Sequence, residues 1–189
     1  MPSKLQRRIK EVEQLVREDR SEVNKRSGVP FILFAYNPDD ELEVDKEIRN
    51  LIEKLTFNNQ TVADIDMREL VFNTLEERGI LDRVSSLERR DTEKLLDGLR
   101  SSLIDWGEMG ELSSTIAAQA EQADTVVVYR TGILYPFSSA STLMGQLETN
   151  TPADTPIVFC YPSTIDDKSI RFLDQSEGTY YRANVIAYE

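Results

Sequence analysis

The residues that could do chemistry in this chain are few, and two features of its composition select them. Histidine is absent from all 189 positions, and Cys160 is the single cysteine. Ser-His-Asp and Cys-His catalysis, which use imidazole to carry the proton, are therefore excluded within the chain. Metal sites that need histidine, and zinc held by several thiolates, are excluded as well. Carboxylates, Lys, Arg, Tyr and oxygen-ligated metals remain. Arg130 and Thr131 close the apolar run "TVVVYR" (125–130), where a guanidinium could bind an anion or be neutralised by an aspartate. Asp64 and Asp66 sit two apart on a predicted strand and so face one side of it. The pairs Asp39/Asp40 and Asp166/Asp167 could hold Mg²⁺, although adjacent loop carboxylates commonly serve as helix caps. Cys160, between Phe159 and Tyr161 in an apolar run, reads as a buried, inert thiol.

The elements that must position these groups alternate. Leu5, Ile9, Val12, Leu15 and Val16 form one stripe of an amphipathic helix over residues 4–18, and "RSGVP" (26–30) ends it. "FILFAY" (31–36) is a short, wholly apolar run, as expected of a strand covered on both faces. A helix over 41–56 follows, then a strand over 61–67, and a helix over 67–78 closed by Gly79. Residues 80–90 read as a charged connector. Helices are predicted over 91–106 and 111–122, so that 80–124 forms a helical segment between two strands. The strand 125–130 leads to a helix over 138–148. A strand over 157–162, a polar loop or short helix over 163–178, and a partly alternating edge strand over 180–188 complete the chain.

This alternation predicts an α/β three-layer sandwich with a mostly parallel sheet of about five strands. It is Rossmann-like but lacks a phosphate-binding loop. The first strand runs into Asn37-Pro38-Asp39-Asp40, no G-x-G-x-x-G follows any strand, and Gly132 stands alone as a turn residue. The organisation expected is an N-terminal amphipathic helix (1–28) followed by one α/β domain (29–189). Ligands of such sheets bind beyond the C-terminal strand ends. That edge gathers Tyr36, Asn37, Asp64, Asp66, Arg130, Thr131, Tyr161, Ser163 and Thr164, with the aromatics Tyr135 and Phe137 close by.

The charge of −12 repels a phosphate backbone, so direct nucleic-acid binding is not expected. It is unevenly spread: residues 1–28 carry eight basic and five acidic side chains, and the remainder is strongly acidic. No apolar run is long enough to span a bilayer, and a cytoplasmic protein is expected.

"RTGILYPF", a following helix with Thr142-Leu143, "PIVFCYPSTIDDKSIRFLD" and "YYRANVI" together resemble the BrxB family, small proteins of the BREX phage-exclusion systems. The matching positions are Thr131, Gly132, Tyr135, Pro136, Phe137, Thr142, Leu143, Tyr161, Pro162, Thr164, Asp166, Arg171, Phe172, Tyr180, Tyr181 and Arg182. Ser163 stands where the pattern more often has glycine. The resemblance extends over roughly residues 28–187. It implies a non-catalytic accessory or adaptor protein in a multi-protein defence complex, with no cofactor and with a PglZ-like protein as partner. The partner- or ligand-binding candidates are Arg130, Thr131, Gly132, Tyr135, Phe137, Tyr161, Ser163, Thr164 and Arg171. Two alternatives stand beside this reading. One is a nucleotide- or anion-sensing module using Arg130, Thr131 and Ser163. The other is a metal-dependent phosphoesterase using Asp64, Asp66 and Asp166.

Overall fold

A computed structural model describes residues 2–17, 23, 27–105, 109–166, 169–172 and 182–188, with the backbone alone at Ser85, 164–166 and 169–172. Five strands form a parallel sheet: β1 (Phe31–Tyr36), β2 (Val62–Asp66), β3 (Thr125–Tyr129), β4 (Ile157–Asp166) and, after the short β5 (Ser169–Phe172), β6 (Asn184–Tyr188). Their spatial order is β2-β3-β4-β1-β6, and β5 pairs antiparallel with β4. The expected three-layer α/β sandwich with a parallel sheet is therefore what the chain forms.

Strict alternation along the central strands divides their side chains between two apolar layers. Ile32, Phe34, Tyr36, Val127, Tyr129, Val158 and Cys160 face one layer, which is covered by α1 (Lys4–Arg17) and α2 (Glu41–Phe57). Phe31, Leu33, Val126, Val128, Ile157, Phe159 and Tyr161 face the other. That layer is covered by α3 (Met67–Glu77), α6 (Glu111–Ala120) and α7 (Ala140–Leu147), and by Leu103 at the end of α5 (Thr92–Leu103). All six residues of β1 and all five of β3 are buried, which explains why both read as unbroken apolar runs. Phe31 and Phe159 meet edge to face across the β1–β4 pair at 5.8 Å.

Two segments differ from the sequence reading. Residues 80–90 contain a helix, α4 (Leu81–Glu88), rather than a bare connector. Only Ile80 and Leu81 from its start pack, partly covered, against the core, so its apolar period is faint beneath its charge. Residues 163–178 were expected to be a loop or short helix. Instead β4 runs on to Asp166 and turns back as β5, pairing Ser163 with Phe172 and Thr164 with Arg171. The predicted strand start at Tyr180-Tyr181 lies outside the described residues.

Gly110 stands at the N-cap of α6 with φ 67°, and a Cβ there would fall 2.1 Å from the Ile104 carbonyl oxygen. The end of α5 and the start of α6 can approach this closely only through glycine. Across the seam, Gln146 of α7 accepts from Ser113 Oγ at 2.5 Å and donates to the Ile104 carbonyl at 2.9 Å, tying α5, α6 and α7 together.

On the opposite face, α1 is part of the core. Leu5, Val12 and Val16 are fully buried against α2 and the sheet. Glu13, 8% exposed, accepts from Lys54 of α2 at 2.6 Å and from Arg17 at 3.0 Å. Burial alone would raise the Glu13 pKa, but these two cations outweigh it and hold the group below its ordinary value. The contact therefore stabilises the fold above the ordinary carboxyl range and is lost on acidification through the lowered pKa. Among the described residues no helix is long and apolar enough to cross a membrane.

If α1 is a structural member of the sandwich, Leu5→Ala should cost roughly 2–5 kcal/mol in a urea titration. An unchanged midpoint would show that the helix contributes nothing to the core.

Candidate functional site at the C-terminal edge of the sheet

The parallel strands bring three βα connections, those after β1, β2 and β3, to one edge. Arg130 follows β3 in the left-handed backbone region, φ 57°, where glycine is the usual occupant. Its guanidinium lies between two carboxylates. Nε donates to Asp45 Oδ2 at 2.9 Å, Nη2 donates to the same oxygen, and Nη1 donates to Asp66 Oδ2. Asp45 lies in the second turn of α2, after β1, whereas Asp66 is the last residue of β2. The other Asp66 oxygen accepts from the backbone N–H groups of Arg68 and Glu69 at 3.0 and 3.3 Å, capping α3. One arginine thus ties together the exits of β1, β2 and β3.

Burial works against the Arg130 charge, but Asp45 and Asp66 overcome it, so its pKa is raised. The Asp66 side chain is only 5% exposed and that of Arg130 21%. An incoming anion would have to displace two short-range counter-charges, so the guanidinium is committed to its own chain. Tyr129 completes the group. Arg130 stacks at 5.7 Å from its ring centre and Arg49 at 5.9 Å. Burial and the neighbouring Asp64 carboxylate push the Tyr129 phenol up.

A second polar pair flanks this one. Tyr36, at the end of β1, donates its phenol to Glu41 Oε2 at 2.6 Å. Burial and the negative charge of Glu41 push the tyrosine pKa far up, so it is a fixed donor. The Glu41 carboxyl is itself raised by burial, against the Tyr36 hydrogen bond that lowers it, with Asp45 adding to the rise.

The nine candidates separate by placement. Thr131 is fully buried and donates Oγ1 to the Cys160 carbonyl at 2.7 Å. Gly132 does not supply the positive-φ turn, which belongs to Arg130. A Cβ on Gly132 would sit 3.6 Å from Pro162 Cγ. Phe137, 4% exposed, and Tyr161, 1% exposed, belong to the core, and Ser163 is 1% exposed with Oγ 3.4 Å from the Tyr161 carbonyl. These four buried side chains are packing groups, because a side chain with no exposed surface has none to offer a partner. Tyr135 is 43% exposed. Thr164 and Arg171 face each other in the β4–β5 register, and their side chains lie outside the described residues.

The phosphoesterase grouping does not assemble from Asp64 and Asp66. Asp64 is exposed, Asp66 is occupied by Arg130 and the α3 cap, and the Asp166 side chain lies outside the described residues. Among the described residues no group of three or more potential ligands could hold a metal ion. Burial pushes the Cys160 thiol up, as expected of an inert core cysteine. Asp45 and Glu41 were not among the sequence candidates. The one signal that could have found them is the acidic run "NPDDELEVD" (37–45) directly after a buried strand.

Two predictions test this geometry. Arg130→Ala leaves two carboxylates without a counter-charge and should cost roughly 3 kcal/mol. Arg130→Gly loses the same pairs but relaxes the left-handed backbone, so it should be more stable than the alanine variant by about 1 kcal/mol. Equal urea midpoints for both variants would remove the backbone part of this account. For Glu41 the native state holds its proton more tightly than the unfolded chain. Its contribution to stability is therefore fully present at acid pH and is lost as pH rises through the raised pKa. Glu41→Gln should melt higher than the wild type at neutral pH, with the advantage shrinking towards the ordinary carboxyl range. A melting difference independent of pH would contradict it.

Comparison with known proteins places this site in a family. No curated protein and no solved structure matched the chain. The family model described as "BREX protein BrxB" matches residues 63–186, more than half of the sequence, from within β2 to within β6; the match includes Asp66, Arg130, Thr131 and Tyr161, while Tyr36, Glu41 and Asp45 precede it. The chain belongs to the BrxB family and is thereby a component of a BREX phage-defence system.

Proposed function

We propose that this protein is a non-catalytic adaptor of a BREX complex, acting through protein contacts and without a cofactor, with a PglZ-like protein as its partner. The observation that carries the reading is the mutual engagement of the polar groups at the ligand-binding edge of the sheet. Arg130 is held by Asp45 and Asp66, Tyr36 by Glu41, and Thr131 by the β4 backbone. Chemistry or ligand capture needs unspent donors and acceptors converging on a cavity. Here the donors are spent on the chain's own carboxylates and backbone carbonyl. What that edge offers outward is a half-exposed aromatic, Tyr135, and a rim of carboxylates, which suits an interface. Membership of the BrxB family supports a place in the complex, and the named partner is the one its resemblance implies.

The anion-sensing alternative makes the opposite demand, because Arg130 would have to release its carboxylates to a phosphate. Millimolar inorganic phosphate, ATP, GTP or cyclic nucleotides should leave the melting temperature unmoved. A ligand-dependent rise would overturn the adaptor reading in favour of a sensor. Titrating the chain into a PglZ-like protein of a BREX system, by calorimetry, should give saturable binding. Tyr135→Ala should weaken that binding by more than any loss of folded protein read from its melting curve accounts for.

A further inference from the structure

A corner of the same sheet edge is formed by the ends of β1 and β6 and the start of α2, where Asp40 is the N-cap residue and Glu43 lies in the first turn, favourably placed for the helix dipole. Leu42 is 87% exposed in the first turn of α2, although Val44, Ile48, Leu51 and Leu55 of that helix are buried. It points away from the apolar layer that its own helix covers. Asp39 and Glu43 are exposed beside it, and Asp40 is half-buried. Among the described residues none of these three carboxylates has an ion-pair partner, in contrast to Asp45 and Asp66 a turn or a strand away. Tyr188, opposite Tyr36 in the β1–β6 register, shares the corner. After burial itself, Asp40 and Glu43 are the charges that raise its phenol.

A single exposed leucine is ordinary on a protein surface. This one is almost wholly exposed, and among the described residues the three carboxylates beside it have no side-chain cation as partner. An apolar knob with carboxylates on its N-terminal side, and the exposed Lys46 one turn further along α2, is the complement of an apolar socket with cations on the side that meets Asp39, Asp40 and Glu43. In such a contact the desolvated centre sets the off-rate, and the charged rim sets the on-rate and its salt dependence. A second copy docking by the same corner would place like charges opposite each other across a two-fold axis, which disfavours self-association there. Nucleic acid is repelled by the same charges.

We propose that Leu42, Tyr188, Asp39, Asp40 and Glu43 form the docking corner for a protein partner that presents an apolar socket with lysine or arginine on the side that meets the three carboxylates. The proposal rests on the adaptor reading and adds where the partner sits and what chemistry it brings.

The test measures binding of the chain to a PglZ-like protein of a BREX system at low and high salt. Leu42→Ala and the charge-removed Asp39→Asn/Asp40→Asn/Glu43→Gln variant are compared with Phe57→Ala, a control at the far end of α2 where the side chain is 88% exposed. Leu42→Ala should lose about tenfold in affinity, mostly through faster dissociation. The charge-removed variant should lose about as much through slower association, with its salt dependence flattened. Phe57→Ala should bind as the wild type does, and all the variants should melt with it. If the wild type binds and both corner variants bind equally well, the corner is wrong while the adaptor reading stands. A loss shared by Phe57→Ala also overturns the corner. So does a wild-type dimer that Leu42→Ala dissolves without touching partner binding. A wild type that binds no PglZ-like protein overturns the adaptor reading, and the corner falls with it.

Discussion

A guanidinium cannot shed its charge, so Arg130 must be matched wherever the chain places it. The chain places it at the end of a strand buried on both faces, with most of its side chain covered. The requirement is met by Asp66 from the neighbouring strand and Asp45 from the helix after β1. Because these three residues come from three separate βα connections, the match fixes the relative position of three exits at once. It also selects the backbone. A left-handed residue after β3 aims the guanidinium back across the sheet edge rather than out into solvent, at a conformational cost of about 1–2 kcal/mol. Buried ion pairs add little net stability over apolar packing, but leaving one half unpaired is expensive. The pair therefore acts against alternative arrangements of the edge more than it stabilises the observed one.

The sheet was legible in the sequence because its strands are covered on both sides. "FILFAY" and "TVVVY" are apolar throughout, and only a strand packed under two helical layers tolerates that. The helices with deep faces were legible for the same reason, since Val44, Ile48, Leu51 and Leu55 mark α2 by period alone. Where an element buries little, the signal fades. Residues 81–88 are helical, yet little more than Leu81 reaches the core, and charge hides the period. The β4–β5 hairpin was missed because Pro162 reads as a strand end, whereas the pairing continues beyond it to Asp166. At the site, Arg130 and Asp66 stood out as charges ending apolar runs. Asp45 did not, because within "EVDKE" it looks like any solvated helical carboxylate, and nothing local marks a contact 85 residues away.

The distribution of charge separates two roles. Residues 1–28 are net basic and the rest of the chain is strongly acidic, yet the ion pair that joins them runs the other way, with Glu13 of α1 clamped between Lys54 of α2 and Arg17. Inside the fold, therefore, carboxylates are paired by short contacts that salt screens poorly. At the C-terminal edge the carboxylates divide into two groups. Asp45 and Asp66 are satisfied, while Asp39, Asp40 and Glu43, a few residues away, are left to water. Hydrated carboxylates on a surface cost only their screened mutual repulsion, so the pattern is compatible with stability and also with recognition of a cationic surface.

The residues that carry the family resemblance bear on where recognition can occur. Thr131 donates to the Cys160 carbonyl, Gly132 packs against Pro162, and Phe137 and Tyr161 are in the core. The T-G and Y-P steps, 30 positions apart in the sequence, are thus two halves of one joint that seats the exit of β3 on β4. A residue with no exposed surface recognises only its own chain, so substitutions in this joint report on folding whatever the protein binds. Fold-level motifs of this kind identify the scaffold, and function has to be sought in what the scaffold leaves outside. At this edge that means the half-exposed Tyr135 and the corner around Leu42. Both can be altered without touching the sheet, which is what allows a binding defect to be told apart from an unfolded protein.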